Sequence, residues 1–409
     1  MAYEMMPKLR GVNVTQEHEY GASVVVLSDP MGITERAVAF PRSLLPLLEL
    51  CDGTRDLATL RTAMELRTGV KLGSEYIEKL MAVLDEALLL ESDHFTEVYA
   101  ETLEAYRAAP ARAPVMMGTV YQENPKWVER ALKEYFDALP QDRREQPVIG
   151  PVRGLVSPHI DYQRGGTVYA EVWHKAAEAV RTAEVVVILG TNHCYGERLI
   201  TLTRQSYATP WGVLRTASGI VEYIAGELGE DSVFAEELSH RQEHSVEAAA
   251  VWLHYLTKDR DCEIVPVLCG SFHRFIQDRL DPAQDEELSR FIDALRAATS
   301  GRRTLVVAAG DLAHVGPAFG DREGISDRDR ERLESSDHEL MEAMASGDAD
   351  GLFNVVRRGG DRDRICGLSP IYIALRLLED VKGEVTGYAQ CPADTTATSY
   401  VSICGVVLG

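Results

Sequence analysis

The chain has 409 residues, 45% of them hydrophobic and 26% charged, with 64 acidic residues against 42 basic ones and a formal net charge of -22. That length predicts more than one domain, each able to bury its own core, and that charge excludes a protein that grips a phosphate backbone with clustered Lys and Arg. No run reaches the roughly 18 uninterrupted apolar residues of a membrane span, and the start MAYEMMPKLRGVNV lacks the pattern of a secretory signal. A cytoplasmic protein is therefore expected, with neither nucleic acid nor membrane as a partner. The seven cysteines are scattered, odd in number and without a CxxC pair, which fits free thiols in a reducing compartment.

Ser23 to Leu27 and Ala37 to Phe40 are short apolar runs on either side of Asp29-Pro30-Met31-Gly32, the pattern of a β-hairpin. Ile77, Leu80, Met81, Leu84 and Leu88 then repeat at the spacing of one helix face, with Ser74 as the N-cap. A hairpin followed by short helices makes a small α+β module over residues 1–100. Its segments Leu48 to Thr54 (LELCDGT), Leu57-Ala58-Thr59-Leu60 and Leu84 to Leu89 (LDEALL) resemble PqqD-like winged-helix domains. That resemblance implies a module that binds a peptide or protein, with a precursor peptide or a radical enzyme as partner. A helical cap on the larger domain is the alternative. The Ala/Arg/Pro-rich stretch that follows reads as a linker over 101–114.

From residue 115 to 409, apolar runs alternate with amphipathic helices: Val152 to Val156, a helix from Ala170 to Ala183, Glu184 to Leu189, a helix from Val246 to Leu256, Cys262 to Leu268, and Thr304 to Ala308. Such alternation predicts an α/β domain with a mostly parallel sheet flanked by helices. Three of these runs end in polar residues, where open α/β sheets bind ligands. They are Ser157-Pro158-His159-Ile160-Asp161, Gly190-Thr191-Asn192-His193-Cys194 and Gly310-Asp311-Leu312-Ala313-His314. A fourth segment, Gln242-Glu243-His244-Ser245, precedes a helix whose N-terminus Ser245 or a neighbour caps. A lone His after a strand is more often structural than ligating; four in comparable places point to one crevice. Imidazole suits iron, copper or zinc. The remaining seven histidines, His240 and His254 among them, read as structural or solvated.

The order of segments Gly118-Thr119-Val120-Tyr121, Pro158-His159-Ile160-Asp161-Tyr162, Leu189 to His193, Thr209-Pro210-Trp211-Gly212, Glu243-His244-Ser245-Val246-Glu247, Ile264 to Leu268, Gly310 to His314 and Ile365-Cys366-Gly367 resembles the Memo family, protein B of the AmmeMemoRadiSam group. The resemblance implies the fold of class III extradiol dioxygenases of the LigB type, and a metal held by two His and a Cys. Carried over, those ligands are His159, His193 and Cys391, the last preceding Thr395 to Tyr400. His244, Asp311 and His314 match further pocket residues, as acid/base candidates and as an orienting carboxylate.

Three departures from the family pattern stand out. Asp161 follows where the family reads His-Ala-Gly, and either binds substrate or metal or serves as a helix cap or surface residue. Cys194 places a second thiol beside His193. The proline that follows EHSxE in the family is absent, so the helix after Glu247 should run unbroken. The leading expectation is a metal-dependent redox enzyme, with Fe(II) first and Cu next, acting on a small-molecule or peptide-linked substrate. A zinc hydrolase with the same ligands is the second reading, and a non-catalytic peptide- or metal-binding protein the third.

Overall fold

The computed structural model describes residues 6–19, 22–145, 150–194, 196–258 and 260–409. The chain divides into two compact units, Met1–Ala109 with His193–Gly196, and Pro110–Asn192 with Glu197–Gly409.

In the first unit, β1 (Asn13–Glu19), β2 (Ala22–Ser28) and β3 (Val38–Pro41) form an antiparallel sheet in that order. Val25 and Leu27 are buried while Val24 and Val26 are only partly so, so an apolar run in sequence is a period-two strand with one face on the core. Asp29 closes the turn after β2 by accepting the N–H groups of Met31 and Ile33, and meets Arg10 in a buried ion pair at 3.2 Å. The helix Ser74–Glu86 buries Ile77, Met81 and Leu84 at i, i+4 and i+7. Its N-cap is Gly73, so Ser74, expected to cap it, is already its first residue. The helix Asp93–Ala108, capped by Ser92, occupies most of the stretch expected to be a linker, and beyond it Arg112 is almost fully buried. The Ala/Arg/Pro bias there coincides with a helix end and one buried arginine.

The second unit is built on a sheet containing β4 (Gly154–Ser157), β5 (Val185–Thr191), β6 (Ile200–Leu202), β7 (Tyr207–Thr209), β8 (Gly212–Thr216), β9 (Glu263–Cys269), β10 (Thr304–Ala309), β11 (His314–Val315), β12 (Gly383–Pro392) and β13 (Tyr400–Leu408). Its order is β11-β13-β4-β10-β5-β9-β8-β7, with β12 on β13 and β6 on β9. The run β4-β10-β5-β9-β8 is parallel, with β13 antiparallel on β4, β7 antiparallel on β8, and β6 antiparallel on β9. Along β5, Val185, Val187 and Leu189 join Val306 and Ala308 in one core, whereas Val186 and Ile188 join Leu305, Val307 and Ala309 in the other. Both faces are therefore covered, which is why these strands read as unbroken apolar runs. Burying each such aliphatic side chain contributes about 1.5–3 kcal/mol.

The helix after β4 runs Tyr162–Lys175, eight residues ahead of where periodicity starts it, because the Asp161 carboxylate accepts the Arg164 N–H at 3.0 Å and caps it. A separate helix, Ala177–Thr182, follows. The helix Ser245–Thr257 is unbroken, as the missing proline implies. Among the described residues no helix is long and apolar enough to cross a membrane.

Candidate metal centre

Register brings the site together. Ala309 at the end of β10 pairs with Ser157 of β4 on one side and Gly190 of β5 on the other, so three carboxyl ends lie level and adjacent. The segments leaving them carry His159, His193 and Asp311. Two further segments are drawn in by close backbone approaches. A Cβ on Gly310 would collide with the Cα of Gly367, so glycine at both positions lets the Ile365-Cys366-Gly367 loop press against the end of β10. At the end of β5, Thr191 donates its hydroxyl to the Cys366 carbonyl at 3.0 Å and accepts the Ser245 hydroxyl on its own carbonyl at 2.9 Å. One residue thus anchors both the Cys366 loop and the helix behind His244.

His159 is buried, and its ring is oriented by the main chain. Nδ1 lies 3.1 Å from the Ala309 carbonyl, an acceptor only, which assigns the proton to Nδ1 and leaves the Nε2 lone pair facing Cys366 Sγ at 3.2 Å. Asp311 is buried beside it. Its Oδ1 accepts the His159 N–H at 2.8 Å and the Ile160 N–H at 3.3 Å, and its Oδ2 stands 3.7 Å from His159 Nε2. Burial pushes the Asp311 carboxyl up, against the opposing pull of His314, the two backbone N–H groups and His244. The donor atoms of His159, His193 and Cys366 all lie within 4.8 Å of one another. The same holds for His193, Glu243 and His244. Glu243 Oε1 accepts the N–H of Ser245, the first residue of that helix, at 2.8 Å, and lies 3.3 Å from His244 Nδ1. The His244 ring stands edge-on to that of His159 at 5.2 Å.

His159, His193, His244 and Asp311 of the expected set are therefore neighbours, directly or through a shared member. His314 stands at the edge of this group: its Nδ1 lies 3.2 Å from the carbonyls of Leu312 and Arg364, and it belongs to neither donor cluster.

Cys391 stands apart from the rest of the expected set. It is in neither cluster, and its thiol, pushed up to about 11 by burial and by Asp311, donates to the Arg164 carbonyl at 3.5 Å. The thiol that meets the two histidines is Cys366, because the tight Gly310/Gly367 packing places the 365–367 loop against them while β12 holds Cys391 opposite Val401. Cys366 stands in the sequence within Ile365-Cys366-Gly367, but no periodicity ranks it above the other six thiols. Glu243 was missed for a similar reason, since its neighbour His244 carries the stronger signal. Asp161 is the helix cap, paired with Arg164 at 2.5 Å, and Cys194 is in neither cluster.

His240, read as structural or solvated, is structural and fully buried. It donates from Nε2 to the Thr201 carbonyl at 3.1 Å, receives the Tyr207 hydroxyl on Nδ1 at 2.7 Å, and is held neutral by burial with its pKa lowered to about 3. His254 is likewise structural, bonded to Thr209 at 2.5 Å.

Comparison with known proteins bears on the family. A family model described as Memo-like protein matches residues 112–407. A MEMO1 family protein of Aquifex aeolicus is 26% identical over 409 residues, covering 98% of this chain and all of that protein, so the similarity extends into the first unit. A MEMO1 family protein of Methanosarcina mazei is 28% identical over 276 residues, covering 66% of this chain and 88% of its own length. One of Methanopyrus kandleri is 27% identical over 287 residues, covering 68% and 91%. With strand ends, motif order and family match in agreement over more than half its length, the chain belongs to the Memo family.

Proposed function

We propose that this chain is a metal-dependent redox protein whose ion, iron(II) first and copper second, is held by His159, His193 and Cys366. The observation that carries the reading is the meeting of two imidazoles and one thiol, donor atoms within 4.8 Å, at the carboxyl ends of the central strands. The donor chemistry fits: nitrogen and sulfur suit iron, copper or zinc, whereas calcium and magnesium require oxygen. Three protein donors also leave coordination positions open for a substrate. The chemistry such a centre supplies is electron exchange with a small-molecule or peptide-linked substrate bound beside it.

The remaining work falls to the chain's own groups. The Ala309 carbonyl fixes the His159 tautomer, and Asp311 holds the His159 and Ile160 backbone so that Nε2 keeps its aim. His244, oriented by Glu243 at 3.3 Å, and His314, fixed by two carbonyls, are placed to take and return protons, imidazole being the side chain that ordinarily titrates near neutral pH.

Metal analysis of the protein purified without oxygen is the direct test. Stoichiometric iron or copper together with oxygen consumption is the expected result. Redox-inert zinc would point instead to water activation, and no metal at any loading would end the reading. Cys366→Ser is expected to abolish metal retention, while Cys391→Ser keeps it; the reverse outcome would reject the assignment of Cys366.

A further inference from the structure

A cavity of about 360 Å³ opens in the second unit among the helices Pro125–Ala138, Tyr162–Lys175, Ala177–Thr182 and Ser245–Thr257. That size lies within the roughly 300–1,000 Å³ of small-molecule clefts. Phe136, His174, Arg181, Tyr255 and Lys258 are among its lining, and none of them belongs to the metal centre.

One wall is aromatic. Phe136 and Tyr255 stack at 5.9 Å with 20° between their planes, and both stand edge-on to Trp252, at 5.4 and 6.4 Å. Trp252 is fully buried, so it backs the wall rigidly, and a planar ring docking there would meet a surface already ordered.

The other wall carries two cations, in a chain whose net charge is -22. Arg181 and Lys258 each stand at the C-terminal end of a helix, where positive charge offsets the helix dipole, and His174 beside them faces the Arg144 carbonyl with Nε2 at 3.1 Å. That accounts for their sign; it does not account for their convergence on one cavity. Lys258 is paired with Glu129 at 2.6 Å and lies 5.5 Å from the centre of the Tyr255 ring. Exposed Arg181 has no ion-pair partner among the described residues, so its planar fork of donors is available to an anion.

We propose that this cavity binds a planar heteroaromatic ring carrying a phosphate, the chemistry of a nucleoside monophosphate. The ring stacks on Phe136 and Tyr255; the phosphate takes the Arg181 fork and shares the Lys258 ammonium with Glu129. The inference is independent of the metal reading, because no lining residue is a donor to the ion.

Titration calorimetry of the full chain with AMP, GMP, CMP and UMP, with adenosine and with inorganic phosphate tests it. At least one nucleotide is expected to bind saturably and about ten-fold or more tighter than either free nucleoside or inorganic phosphate, with affinity falling as salt rises. Arg181→Ala is expected to weaken that nucleotide about ten-fold and Tyr255→Leu by a similar factor, with unfolding midpoints near the parent's showing that both variants fold. No saturable binding by any of the nucleotides would overturn the proposal, as would phosphate binding as tightly as the nucleotides, or an Arg181→Ala variant of undiminished affinity.

Discussion

Two clusters of polar side chains in the second unit are built in opposite ways. Around Glu247 every bonding position is consumed: Oε1 accepts the Met116 N–H and the Tyr121 hydroxyl at 3.0 and 2.6 Å, and Oε2 accepts the Val115 N–H at 2.8 Å and the Arg112 guanidinium. Arg112 donates onward to the carbonyls of His240 and Glu243 at 2.9 and 2.5 Å. Around His159 the backbone takes only the orienting bonds, and the remaining atoms, Nε2, Cys366 Sγ and Asp311 Oδ2, turn towards one another. Burial alone does not separate them, since Arg112, Glu247, His159 and Asp311 are all buried and Cys366 is half-buried. The direction of the donors does: a cluster closed by backbone holds the fold, and one whose soft donors converge can take a ligand. The two are joined at Glu243, whose carbonyl receives Arg112 while its carboxylate meets His244.

The contrast can be broken most severely at Arg112. Arg112→Met leaves the Glu247 carboxylate buried without its cation, and a loss of about 3–5 kcal/mol in denaturant unfolding is expected. A loss below about 1 kcal/mol would erase the distinction between a closed structural cluster and an open one. Adding Glu247→Gln to that variant should recover part of the stability, because the uncompensated charge is then gone.

Next in size is a pH effect at Asp337, whose side chain is fully buried against the Tyr388 hydroxyl at 2.8 Å. Burial pushes its carboxyl up to about 6, and hydrogen bonds from Ser402 and Tyr388 oppose the shift without cancelling it. The unfolded carboxyl titrates near 3.9, so between about pH 4 and pH 6 the folded chain binds more protons than the unfolded one. The contribution of Asp337 to stability therefore falls as pH rises through that window and is level above it, by roughly 2–3 kcal/mol in all. Asp337→Asn is expected to remove this part of the slope. Urea midpoints of both proteins at several pH values check it, and parallel curves would count against it.

At the open cluster, Asp311→Asn is expected to weaken metal retention about 10–100-fold while the protein stays folded, as loss of an orienting neighbour does. Competition with a chelator of known affinity measures that, and an unchanged affinity would reduce Asp311 to a backbone brace. The smallest effect is expected at Asp161. Asp161→Ala removes a helix cap and should cost about 1 kcal/mol. Its metal content should equal the parent's, and a fall would restore Asp161 as a ligand.

The reading from sequence succeeded where the physics is local and stalled where it is not. Unbroken runs such as Val185 to Leu189 announced strands covered on both faces, and the polar residues just beyond β4, β5 and β10 marked the crevice, because a strand's end is visible in its own sequence. Helix limits were less legible. The start at Tyr162 depends on a single hydrogen bond from Asp161, and the helix Asp93–Ala108 crosses a composition that reads as linker.

What the sequence determined by itself was the α/β class, the order of the motifs, and His159, His193 and Asp311 at the ends of central strands. Only the tertiary structure decided which thiol joins them. Cys366 and Cys391 are both far along the chain from His159, and neither announces itself by period or by cap. The choice rests on a glycine pair, Gly310 and Gly367, that lets one loop approach where any side chain would hold it away. Contacts of that kind are made by what is absent from two distant residues, and they become legible only once the strands have set the distance between them.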